Sequence, residues 1–170
     1  MKPIVPRRQH AVKGSPQPGL RTPAGDAFTA LLLQVIRLSG RFTAAGEALA
    51  RPAGQTLARW LVLEAVQDGP ATVAQIARTM GLARQSVQRL ADVLVGEGFA
   101  AYEDNPAHRR ARLVRLTPEG RSALLAIQAA QRGWADALGA ELGEAELKEA
   151  SVFLDRVLRA VRERPGPPPS

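Results

Sequence analysis

At 170 residues the chain is long enough for one compact domain with a tail or two, and too short for two ordinary domains. A formal net charge of +7 and a pI near 11.1 favour a polyanionic partner, of which nucleic acid is the commonest soluble one. The absence of cysteine excludes disulfides, thiolate metal sites and a cysteine redox switch, and the longest apolar stretch, around Ala30 to Ile36, falls well short of the roughly 20 residues of a membrane span.

Residues 1–25 are rich in Pro and Gly and contain Lys2, Arg7, Arg8, Lys13 and Arg21 without one acidic residue. Such a segment cannot bury a core and is expected to be disordered, either as a solubilising tail or as an arm that adds phosphate contacts. No apolar run follows these charges, so no secretory signal is read and the cytoplasm is the expected location. From Asp26 to about Ala50, Phe28, Val35, Phe42 and Leu49 recur every seven positions, with Leu31, Leu38 and Ala45 between them. That spacing predicts a long helix with a coiled-coil-like seam, capped by Asp26 and stopped by Pro52. A second helix is read over Thr56 to Val66.

The segment 72–99, TVAQIARTMGLARQSVQRLADVLVGEGF, carries the chemistry. Thr72 and Gln75 form a capping box, Val73, Ile76, Ala77 and Met80 give a short helix its apolar face, and Gly81 ends it. Leu82 is expected to insert into the core, and a longer helix follows from about Ala83 to Val95, with Val87, Leu90, Ala91 and Leu94 inward. Arg84, Gln85, Ser86, Gln88 and Arg89 are left facing out, on a surface almost without carboxylates. Short helix, glycine turn and longer helix with an amide- and guanidinium-bearing outer face is the helix-turn-helix pattern. Arg forks onto guanine O6 and N7, and Gln pairs with adenine N6 and N7. Thr72, at the head of the short helix, joins the candidate DNA contacts.

Gly96 and Gly98 end the reading helix, after which Phe99 to Asp104 and Ala111 to Leu116 read as two short strands joined by the turn signal Asn105-Pro106. The tip and return strand of this hairpin hold Arg109, Arg110, Arg112 and Arg115 without an acid, a wing suited to phosphates or the minor groove. Thr117-Pro118 starts a further helix. Near the C-terminus Leu147, Leu154 and Val161 repeat at seven, with Ala150 and Val157 between, and Pro165 begins a loose end. Two striped helices at opposite ends of a small domain call for a second subunit, so a homodimer is expected.

These residues resemble the MarR (multiple-antibiotic-resistance regulator) family of winged helix-turn-helix transcription factors over about Asp26 to Arg164. The most specific parts are IARTMGLARQSVQRLADVLVGEGF and RRARLVRLTPEGR. The resemblance implies a mainly α fold: a reading part at about 55–117 with a two-stranded wing, and dimerisation helices at about 26–50 and 118–164. It implies a repressor that holds a recognition helix in each major groove and a wing in each adjoining minor groove, and releases DNA when a small aromatic or anionic ligand binds. Arg84, Gln85, Ser86, Gln88 and Arg89 match the recognition-helix readers, and Arg110 matches the wing arginine that enters the minor groove. Where the family usually places an acid two positions before that arginine, this chain has His108, which offers no anionic acceptor and can contact phosphate instead. Ala83 stands where a capping Ser is common.

The family's effector cleft is flanked by segments that hold Phe42 and Trp60, and Arg37 and Arg41 are candidate partners of an anionic ligand; core packing and solvated helix surface are the plainer readings. Two other classes of function are weighed. An enzyme is not expected, since His10 and His108 have no companion nucleophile or carboxylate arrangement, and no phosphate loop, metal spacing or cofactor motif is present. The alternative is a winged-helix module that binds an acidic protein rather than DNA.

Overall fold

A computed structural model describes residues 22–106 and 111–164. The basic tail up to Arg21, His108, Arg109 and Arg110 at the wing tip, and the Pro-rich end from residue 165 lie outside the described residues. The chain divides into two compact units at Arg41/Phe42.

Helix α1 spans Pro23–Ala50. It begins three residues before the expected cap: the Thr22 hydroxyl accepts the Gly25 N–H at 3.1 Å, and Pro23 takes the first helical position, where its missing N–H costs nothing. Asp26 therefore sits inside the first turn, beside the positive end of the helix dipole, rather than capping it. A single 3-10 turn, Arg51–Ala53, closes α1 at Pro52 and leads to helix α2, Leu57–Ala65, capped by Thr56.

Strand β1 (Ala71–Thr72) runs directly into helix α3 (Val73–Met80), where both hydrogen bonds of the Thr72/Gln75 capping box form. Gly81 adopts the left-handed conformation at φ +64°, and the Leu82 N–H returns to the Ala77 carbonyl at 3.0 Å. Leu82 departs from expectation: it is 45% exposed rather than inserted into the core. It lies in the turn itself, and the corner is filled instead by Val87 with half-buried Met80 and Leu90. Helix α4 covers Arg84–Gly96; Ala83 caps it with no side-chain hydrogen bond, as its methyl group dictates.

Strands β2 (Ala100–Glu103) and β3 (Leu113–Leu116) pair antiparallel with Ala100 opposite Leu116 and Tyr102 opposite Val114. β1 adds to the other side of β3, with Ala71 opposite Val114, so the expected two-stranded hairpin becomes a sheet of order β1-β3-β2. Two residues are too few to show a strand period, which is why β1 is invisible in the sequence. Helices α5 (Pro118–Leu142) and α6 (Glu144–Glu163) complete the fold, separated by Gly143 at φ +84°.

One core holds the reading part together. Val62, Leu63 and Val66 around α2, Val73, Ile76 and Ala77 of α3, Val87, Ala91 and Leu94 of α4, Val114 of β3 and Leu124 of α5 form one buried cluster. Each large side chain contributes roughly 1.5–3 kcal/mol on burial, so this cluster fixes the angle between α3 and α4. Arg59 clamps α2 to the end of α4 through a two-pronged pair with Glu97, at 2.9 and 2.8 Å. Among the described residues no helix is long and apolar enough to cross a membrane.

Candidate nucleic-acid interface

The 3.6-residue period of α4 divides its predicted readers into two neighbouring stripes. Gln85 and Arg89, four residues apart, are exposed. Arg84 and Gln88 belong to the other stripe and line a groove closed by Thr72, Val73 and Ala74 on one side and by Tyr102, Ala111 and Arg112 on the other. Ser86 is half-buried in the first turn. Thr72, Arg84, Gln88 and Arg112 thus line one groove.

Asp92 continues the Arg84–Gln88 stripe, the one carboxylate among the described residues that lines this groove, on a surface read as almost without them. Its Oδ1 accepts from Gln88 Nε2 at 2.9 Å and from the Tyr102 hydroxyl at 2.6 Å, while Gln88 Nε2 also donates to the Tyr102 hydroxyl oxygen at 2.7 Å. The three side chains close a ring between α4 and β2. Hydrogen bonds from Tyr102 and then Gln88 hold the Asp92 carboxyl below its ordinary value. Burial, followed by the hydrogen bond to Asp92, pushes the Tyr102 phenol up to about 12. The ring therefore pairs a carboxylate with a neutral phenol across the neutral range. Asp92 and Tyr102 were missed in the sequence. The four-residue spacing of Gln88 and Asp92 on one helix was the available signal for half of the ring.

Arg112 lies over the Tyr102 ring with its guanidinium carbon 4.8 Å from the centroid, and its NH2 reaches the Tyr102 carbonyl at 3.4 Å. This cation–π contact leaves its outer edge exposed at the groove. Arg115 is committed differently: its Nε pairs with Glu103 at 3.3 Å across the hairpin, so its charge is partly neutralised. The wing is less purely basic than its return strand suggests.

Arg37 and Arg41 are exposed on α1. Phe42 meets Trp134 edge to face, with centroids 6.2 Å apart. Trp60 packs half-buried against the core, and its Nε1 donates to Glu64 at 3.1 Å. Glu64 also accepts from Gln67 at 3.0 Å and from Gln128 of α5 at 3.3 Å, a polar joint between α2 and α5 with no counterpart in the sequence reading. Among the described residues no group of three or more His, Asp or Glu is placed to hold a metal ion.

Three comparisons bear on this arrangement. A family model described as the MarR family matches residues 53–111, from the turn after α1 through the groove to the wing. The Mycobacterium tuberculosis protein Rv2011c is 43% identical over 102 residues, which cover 60% of this chain and 71% of that protein. Among solved structures, Staphylococcus aureus MarR in complex with salicylate and kanamycin superposes with a TM-score of 0.72 at 13% identity, covering 81% of this chain and 94% of that one. CouR from Rhodococcus jostii RHA1, bound to p-coumaroyl-CoA, has a TM-score of 0.68 at 20% identity and covers 75% and 90%.

Proposed function

Since this chain belongs to the MarR family of transcription regulators, we propose that it binds a palindromic duplex site as a homodimer and represses transcription until a small aromatic or anionic effector releases it. The observation that carries the reading is the exposed Gln85–Arg89 stripe standing next to a groove lined by Arg84 and Arg112. Amide and guanidinium groups on one helix face, held rigid by the buried cluster behind them, are what base edges in a major groove select. The salicylate and p-coumaroyl-CoA complexes of the fold's other members support an aromatic, anionic effector.

Dimerisation rests on surface that a single chain leaves open. On α1, Phe28, Leu32, Val35, Ile36, Leu38 and Phe42 are each about 40–60% exposed; on α6 the same holds for Phe153, Leu154, Leu158 and Val161. Apolar stretches of that extent mark an interface. Two-fold symmetry then sets half-sites about one helical turn, roughly 34 Å, apart.

Selection of bound fragments from a random duplex pool tests the reading, and a palindrome is the expected product. Recovery of no preferred sequence, with binding retained for an acidic protein surface, would favour the protein-interaction alternative. Gln85→Ala or Arg89→Ala should cost about 1–3 kcal/mol per half-site and relax base preference at one position. Equal losses on selected and random duplexes would move these side chains to the backbone. Arg110→Ala should weaken binding to all duplexes alike and lower the log-log salt slope by about one per wing, the signature of a lost phosphate contact. An unchanged slope would place Arg110 outside the interface.

A further inference from the structure

Arg112 stands outside the strand pairing that would fix its direction. The β2–β3 ladder ends at Glu103 opposite Leu113, and Arg112 is the residue before β3 begins. It is exposed, and among the described residues no carboxylate pairs with it, whereas Arg115 is taken up by Glu103. A long side chain so placed would sample many rotamers, and ordering it on a ligand would offset much of what the contact contributes. Tyr102 removes that freedom. Its backbone is held in β2 opposite Val114, and its hydroxyl is tied to α4, donating to Asp92 at 2.6 Å and accepting from Gln88 at 2.7 Å. The ring is therefore fixed at both ends. Its face carries the Arg112 guanidinium carbon 4.8 Å from the centroid, and the Tyr102 carbonyl accepts from the Arg112 NH2 at 3.4 Å.

A guanidinium held over an aromatic face keeps its N–H edge for bonds in its own plane, the geometry in which arginine grips a phosphate. Arg112 lines one side of the groove and Arg84 of α4 lines another, so its described lining holds two guanidiniums against one carboxylate. That carboxylate, Asp92, already accepts from Tyr102 and Gln88. The balance of charge favours an anion. We propose that Tyr102 is a positioning residue whose ring face holds Arg112 ready for one DNA phosphate in each half-site. The assignment rests on the duplex-binding reading above and adds to it the residue that prepares the wing for its backbone contact. Tyr102 acts here through Arg112, and the benefit is a smaller ordering cost on binding rather than a contact of its own.

The experiment measures what Arg112→Ala does to binding of the full chain to its selected duplex, in the wild-type background and beside Tyr102→Phe, Tyr102→Leu or Tyr102→Thr. In the wild-type background the substitution should weaken binding about tenfold per half-site and lower the log-log salt slope by about one per wing. Tyr102→Phe keeps the ring face and the backbone carbonyl, so beside it the loss should again be about tenfold. Leucine and threonine lack the face, and beside either the loss should shrink to about threefold or less, because ordering an unheld arginine offsets most of its contact. Threonine, a strong strand former, guards against a leucine variant that disturbs the hairpin. A merely structural role for Tyr102 would lower affinity by itself yet leave the Arg112→Ala loss at about tenfold in every background, and that result overturns the assignment. A loss that shrinks beside phenylalanine as much as beside leucine and threonine transfers the effect to the hydroxyl and overturns it too. Unchanged affinity and salt slope for Arg112→Ala place Arg112 away from the phosphates and overturn it while duplex binding stands. A wild-type chain that binds no duplex overturns the DNA reading and this assignment with it.

Discussion

Gly120→Ala is expected to lower the melting temperature by about 6–12 °C, the largest stability loss of any single-methyl addition in the described fold. Gly120 is buried in the first turn of α5, and a Cβ there would be driven into the Phe99 carbonyl oxygen and to 3.3 Å from Leu116 Cδ2. The carbonyl cannot retreat cheaply, because it accepts the Thr117 N–H at 3.2 Å while the Thr117 hydroxyl donates to the neighbouring Gly98 carbonyl at 2.7 Å. The same hydroxyl accepts the Gly120 N–H at 3.0 Å. Relief therefore shifts the end of α4, the root of β2 and the cap of α5 together. Overpacking of about 1–3 kcal/mol plus about 1 kcal/mol for a weakened hydrogen bond gives a loss of about 3 kcal/mol, a large share of a typical 5–15 kcal/mol stability. Thermal unfolding followed by circular dichroism checks it. Gly133→Ala, where a Cβ meets nothing within 4 Å, is the control and should leave the transition unchanged or raise it slightly. A Gly120→Ala transition matching the wild type would mean that α5 and β2 slide past each other freely.

The second large effect is expected from Leu154→Glu/Leu158→Glu on α6. Both leucines are exposed in the single chain, at 40% and 56%, so their replacement removes little from the chain's own core. In a dimer they would bury carboxylates in an apolar contact, which is costly enough to separate the subunits. Light scattering should report a monomer. Duplex affinity should fall by about 10²- to 10⁴-fold, the advantage that linking two half-site contacts confers. A double variant that remains dimeric would place α6 outside the subunit interface.

Much of the fold was legible in the sequence because its signals are local. The Thr72/Gln75 capping box, the left-handed Gly81, the uncapped Ala83 and the Thr117-Pro118 start each depend on a few adjacent residues, and each stands where the sequence places it. The inward faces of α3 and α4 follow from helical period alone. Leu82 was misread because apolar character indicates a preference for burial without showing that the core has room at that corner. β1 escaped notice because pairing with β3, and not its own two residues, makes it a strand.

The candidate site divides in the same way. The residue types of Arg84, Gln85, Gln88 and Arg89 and their place on one helix are consequences of order along the chain, since period and side-chain chemistry are properties of a single segment. The commitment of Gln88 to Asp92 and Tyr102, the stacking of Arg112 and the pairing of Arg115 with Glu103 were decided only in three dimensions. Tyr102 is ten residues beyond Asp92, past a glycine turn and in a different kind of element. Whether a phenol reaches a carboxylate across that gap depends on the angle at which the sheet meets the helix, and that angle is set by the shared core beneath them.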